Sequence, residues 1–158
     1  MSRSIQPDTV VFSTDNGADT ITGFVVANDL INLDLLGAGA QAGETAIAAD
    51  ASSTALTTAF IGVFANGANG TGTDAVSIIL DYTDMSDVVA FLAAGLTESA
   101  AETYVAVIND LLTNKAYVYT INVDAVITAA GTIEVGDVAL VGTITAYAAL
   151  TITNTLFA

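Results

Sequence analysis

Apolar and polar positions alternate in short runs along most of this chain, and the alternation predicts strands more often than helices. A polar opening closes at Pro7, and Thr9-Val10-Val11-Phe12-Ser13 follows as the first β-prone run. Residues 20–26 and 30–36 are predicted extended, with a turn at Ala27-Asn28-Asp29. Residues 37–58 are rich in Ala, Gly, Thr and Ser, and are read as loop with a short helix around 44–50. Phe60-Ile61-Gly62-Val63-Phe64 is a strand candidate, and the Gly/Asn run from Asn66 to Gly72 is a turn signal. Residues 75–82 carry Val76, Ile78, Ile79 and Leu80 and read as a buried strand.

The clearest helix spans 84–96. Asp84 or Ser86 can cap it, Asp87 lies in its first turn, and Gly95 suits its end. Val88, Phe91 and Leu92 form its apolar face. Tyr104–Ile108 and Ala116–Val123 are predicted to form an antiparallel hairpin around Asn109–Lys115, with Tyr117, Tyr119, Ile121 and Val123 on one face. Residues 138–146 and 150–157 add two strands. The fold expected is mostly β: an antiparallel β-sandwich or distorted barrel with one helix near 84–96. Residues 1–13 form an arm and a possible donor strand, and 14–158 a single β-rich domain. No repeat of 20–50 residues is present, so a long parallel β-roll is not expected.

Charge narrows the function classes. The 158 residues hold 17 acids, two bases (Arg3 and Lys115) and no His, for a net charge of −15. That balance repels phosphate backbones and anionic membrane surfaces, so no nucleic-acid partner is expected. High charge can signal disorder, but 53% hydrophobic residues and a mean hydropathy of +0.67 predict a folded chain. Charged residues are 12%, about half the ~25% usual for soluble domains, so some apolar surface is left for contacts. Without Cys there is no disulfide framework. Residues 1–7 lack the apolar segment of a secretory signal peptide. The uncharged stretch Val138–Ala158 has the length of a membrane span, but Thr143, Thr145, Thr151, Thr153 and Thr155 recur with a strand period, so no membrane insertion is expected.

Candidate chemistry concentrates near the start of the chain. Asp15, Asp19, Asp29 and Asp34 alternate with apolar residues such as Ile21, Phe24 and Leu33. In an extended chain one face can pack while the other presents oxygens, and clustered oxygens suit Ca²⁺. The plainer alternative is a set of solvated turn acids, since Asp and Asn are common in turns. Gly17-Ala18-Asp19-Thr20-Ile21 also matches half of the calcium-binding nonapeptide.

From Asp15 to Leu36 the chain resembles the C-terminal region of RTX-type calcium-binding proteins exported by bacterial type I secretion, where a phrase like G-A-D-T-I-x-D-F-x-x-x-x-D-x-I-D-L-S closes the calcium-binding part. The match covers Gly17 to Leu33. Gly23 and Asn32 stand where the family usually has Asp. At the far end, Asp137-Val138-Ala139-Leu140-Val141-Gly142-Thr143-Ile144 with Ala149-Leu150-Thr151 and Leu156-Phe157-Ala158 looks like the closing phrase of such exported proteins. The resemblance implies bound Ca²⁺, the type I export machinery as a partner, an uncleaved C-terminal signal and an extracellular or cell-surface location.

Asp81, Asp84 and Asp87 form a second candidate metal cluster, with helix N-terminal acids as the alternative. Asn122 with Asp124, Glu134 with Asp137, and the Asn66–Asp74 turn are weaker candidates. Catalysis finds little support. Lack of His and Cys removes Ser-His-Asp and Cys-His arrangements, and no phosphate loop is spelled. The expected function is therefore a secreted calcium-binding structural protein, not an enzyme, that self-assembles into a homopolymeric filament, tube or surface layer. The alternative is a small exported binding module for a cell-surface or glycan ligand.

Overall fold

The computed structural model describes residues 7–13, 18–35, 45–46, 54–56, 61–66, 81–98, 103–110, 112–122 and 133–146. Their elements are β1 (Thr9–Ser13), β2 (Asp19–Phe24), β3 (Leu30–Leu35), β4 (Thr45–Ala46), β5 (Thr54–Leu56), β6 (Ile61–Asn66), α1 (Met85–Gly95), β7 (Leu96–Glu98), β8 (Thr103–Asp110), β9 (Lys115–Asn122) and β10 (Val138–Ala146). Among the described residues the protein is mostly β with one α-helix and a short 3-10 turn at Val135–Asp137, in a sandwich-like arrangement. A six-stranded sheet in the order β2-β10-β9-β8-β6-β4 is its centre, and β1-β3 and β5-β7 form two-stranded sheets.

Antiparallel pairing, as expected, holds the middle of the large sheet. A tight turn joins β8 to β9, and β9 pairs antiparallel with β10. The flanks differ from the expectation: β1–β3, β2–β10, β4–β6, β5–β7 and β6–β8 are all parallel. The reason for β6–β8 is visible in the chain order. A parallel pair needs a long crossover, and the segment containing α1 supplies one. The short helix expected around 44–50 is also corrected in part, because Thr45–Ala46 is a strand hydrogen-bonded to β6. Tyr82, expected at the end of a strand over 75–82, lies in the turn before α1; residues 75–80 and 150–157 lie outside the described residues.

Two apolar layers sandwich the large sheet. On one face Val105, Val107, Ala116, Val118 and Ile144 pack with Phe12, Ile31 and Leu33 of the β1–β3 sheet. On the other, Tyr104, Ala106, Ile108, Tyr119 and Ile121 pack with Val88, Phe91 and Leu92 of α1. The even–odd split along β8 and β9 is the period of two expected of strands. β8 is covered on both faces, which is why its run Tyr104–Ile108 is continuously apolar instead of alternating.

β10 keeps both faces filled by changing its phase. A register shift between Leu140 and Gly142 moves the side chains: Val138 and Leu140 face the helix layer, while Val141, Ile144 and Ala146 join the opposite layer. A second irregularity faces β2, where Gly23 adopts φ 82° at the break in pairing between Thr145 and Ala146. A left-handed conformation disfavours any Cβ. The Gly at a position where the resembling family usually has Asp therefore has a backbone reason.

Candidate functional site

The structure places two acids of the first cluster, Asp19 and Asp29, toward opposite ends of one strand. Asp19 opens β2 and is half-buried, and Asp29 follows the turn beyond the other end of that strand. At about 3.3 Å per residue, β2 alone separates them by roughly 16 Å. Asp34 lies in β3 next to Leu35, which pairs with Ser13, and Phe12 beside Ser13 lies over Gly142, the register partner of Asp19. Asp15 lies outside the described residues. Topology thus associates Asp34 with the Asp19 end and sets Asp29 apart.

Asp29 is 7% exposed and is engaged by backbone. Its Oδ2 accepts a hydrogen bond from the Val25 N–H at 2.8 Å and its Oδ1 one from the Asp8 N–H at 3.3 Å. The Asn28 and Asp29 N–H groups both donate to the Val25 carbonyl, at 2.8 and 2.9 Å, and close the turn. The Leu30 N–H donates to the Asp8 carbonyl at 2.8 Å. Asp29 therefore clasps the segment before β1 to the β2–β3 turn. Asp29→Ala leaves two part-buried N–H groups without their acceptor, and a loss of about 1–3 kcal/mol is expected. Urea titration of wild type and variant checks this, and an unchanged midpoint would mean that the clasp adds nothing to stability.

The second cluster organises the start of α1. Asp84 caps the helix, its Oδ1 accepting from the Ser86 N–H at 2.9 Å while its carbonyl accepts from the Val88 N–H at 3.2 Å. Asp81 Oδ1 accepts from both the Thr83 hydroxyl, at 2.7 Å, and the Thr83 N–H, at 2.8 Å. Those bonds, the hydroxyl's first, hold the Asp81 carboxyl below its ordinary pKa. Asp87 Oδ2 accepts from the Asp81 N–H at 3.3 Å. Each acid serves its own turn, as the helix-terminal alternative requires. Likewise Asp137 Oδ2 accepts from the Glu134 N–H at 2.7 Å, and Asn122 Oδ1 from the Thr103 hydroxyl at 2.9 Å. Asp124 and residues 67–74 lie outside the described residues. Among the described residues, no group of three or more acidic side chains is placed to hold a metal ion.

Two features escaped the sequence. Asp110, 6% exposed, organises the β8–β9 turn: its Oδ1 accepts from the Leu112 N–H at 2.9 Å and its Oδ2 from the Thr113 hydroxyl at 2.6 Å. An Asp three residues before a Thr between two apolar runs was the available signal. The other is a tyrosine group. Tyr82 and Tyr117 stack with ring centroids 4.0 Å apart and planes 4° from parallel. The Tyr119 hydroxyl donates to the Tyr82 carbonyl at 2.8 Å. Tyr117 and Tyr119 were readable as sharing a face, but nothing local points to Tyr82, which is 37 residues from Tyr119. Among the described residues no helix is long and apolar enough to cross a membrane. No protein family, curated protein or solved structure matches the chain.

Proposed function

We propose that this chain is a secreted, calcium-binding structural protein that self-assembles on or outside a bacterial cell, reaching that place by type I export. The observation that carries the reading is the outer edge of β2. The six-stranded sheet ends on this strand, and among the described residues it pairs with β10 alone. An exposed edge is a template for another chain, and lysine or proline often blunts it. β2 has neither, and its one charged residue is Asp19. A carboxylate at an edge repels a like-charged copy, and the net charge of −15 adds to that repulsion. Calcium would remove both obstacles.

Asp19 and Asp34, with Asp15 from the resemblance, would supply the oxygens; Asp29, Asp81 and Asp84 serve the turns. Neutralising charge and tying acidic segments together is the chemistry the ion would bring. Extracellular calcium modules have Kd values of about 10⁻⁴–10⁻³ M, and a tenfold excess over Kd stabilises the native state by roughly 1.4 kcal/mol. Millimolar Ca²⁺ is therefore expected to raise the melting temperature and to produce filaments, tubes or sheets by light scattering and electron microscopy. Chelator should reverse both. Asp19→Ala should blunt the calcium response, whereas Asp29→Ala should lower stability equally with and without the ion. Identical melting curves in calcium and in chelator, with monomer at high concentration in both, would sink this reading.

The half-buried Tyr82–Tyr117 stack supports a second reading, a small exported module that binds a glycan or other cell-surface ligand. A ligand-dependent melting shift without assembly would favour it.

A further inference from the structure

β1 stands outside the six-stranded sheet and pairs with β3 alone among the described strands. Its deepest anchor is Phe12, which has no exposed surface. The ring lies over Gly142 of β10, so closely that a Cβ at that position would collide with it. Val10 packs against the same core, and the Asp8–Asp29 and Leu30–Asp8 hydrogen bonds hold the residue before the strand. Val11 is 53% exposed and faces away from the core. The strand pairs, these hydrogen bonds and the Phe12–Gly142 contact all run between residues 8–13 and residues beyond 28. A β1 from another copy would make every one of them unchanged, and its departure leaves the pairing of the large sheet intact.

We infer that β1 is the joint between copies: Thr9–Ser13 of one chain leaves its own β3 and seats on the β3 of a second copy, with Phe12 over that copy's Gly142. The inference rests on the assembly reading above and adds to the β2 edge a second contact, which assembly requires. Exchange of an identical element is a low-cost route to association, because the packing that β1 gives up on its own chain is restored on its neighbour. Passed onward in one direction, the strand builds an open polymer; exchanged reciprocally, it closes a dimer.

The chain has no cysteine, so Thr9→Cys with Leu30→Cys introduces its only thiols. Thr9 and Leu30 are register partners. Neighbouring strands lie about 4.8 Å apart, within the span of a disulfide. Oxidised as a dilute monomer, this variant locks β1 onto its own chain. It is expected not to assemble in millimolar calcium, and to regain assembly on reduction. Oxidised after assembly, it is expected to give a ladder of covalent oligomers on a non-reducing gel. A locked chain that assembles as wild type does, or oxidised polymer that runs only as monomer, overturns the joint while leaving the assembly reading in place. Wild-type chain that stays monomeric in calcium overturns both. If the first variant misfolds when reduced, Val11→Cys with Asn32→Cys, the next pair on the same face, makes the same test.

Discussion

Phe12→Ala is expected to cost about 3–5 kcal/mol of folding stability, the range for removing a fully buried Phe from a core. Phe12 has no exposed surface and joins β3 side chains Ile31 and Leu33 to Val141 and Ile144 of β10, so its loss empties the seam between the two sheets. The partner of the ring is a position with no side chain. A Cβ added at Gly142 would lie 2.9 Å from Phe12 Cδ1 and 3.1 Å from the Asp19 carbonyl oxygen. Gly142→Ala alone should therefore cost about 1–3 kcal/mol, as overpacking does. In the Phe12→Ala background the same methyl enters the vacated space, so the double variant should be more stable than the sum of the two losses predicts. Denaturant midpoints of the four chains test this. Simple additivity would mean that Phe12 does not occupy the space over Gly142, and the exchange joint would lose its anchor as well.

Alkaline pH is expected to destabilise the protein through Tyr119. Burial raises its pKa far above the ordinary value, and the neighbouring Tyr117, Tyr82 and Asp81 add to the shift. Burial raises Tyr117 too, helped by the Asp110 and Asp81 charges. The direction of the effect follows from proton counting. Below about pH 10 the phenol is neutral in both states and its full contribution to stability is present. Above that, the unfolded chain releases the proton and the folded one keeps it, so stability falls as pH rises. A group that stays neutral when folded loses about 1.4 kcal/mol per pH unit, roughly 3 kcal/mol by pH 12. Tyr119→Phe removes the hydrogen bond to the Tyr82 carbonyl and should be about 1 kcal/mol less stable at pH 8. It should also lose stability less steeply than wild type between pH 10 and 12, so the curves converge. Parallel curves in urea melts across that range would show that Tyr119 ionises freely in the folded state.

Both effects depend on residues brought together from distant parts of the chain, and that marks the boundary of what was legible beforehand. The α1 cap at Asp84, the apolar face of Val88, Phe91 and Leu92, the turn before Asp29 and the β8–β9 hairpin were all readable. Each is set within a few residues by capping, turn chemistry or strand period. The parallel pairing of β6 with β8 was half-readable, because a helix between two strands is the usual mark of a crossover. The pairing of β4 was not, since a weakly patterned Ala-rich stretch takes its structure from whichever edge accepts it.

The acids divide in the same way. Composition alone established a strongly acidic, apolar-rich chain without the residues for nucleophilic triads, and the spacing of its carboxylates raised the calcium question. Spacing could not say which carboxylates meet. Asp19 and Asp29 belong to one sequence phrase, yet an extended strand lies between them, and Asp29 is turned to the backbone of Asp8 and Val25. Local preference acts through neighbours in the chain, so it determined the caps, turns and strand faces. Only tertiary packing, which chooses partners by shape and by the need to satisfy buried polar groups, decided that Phe12 lies on Gly142, that Tyr82 stacks on Tyr117, and that Asp29 clasps a turn.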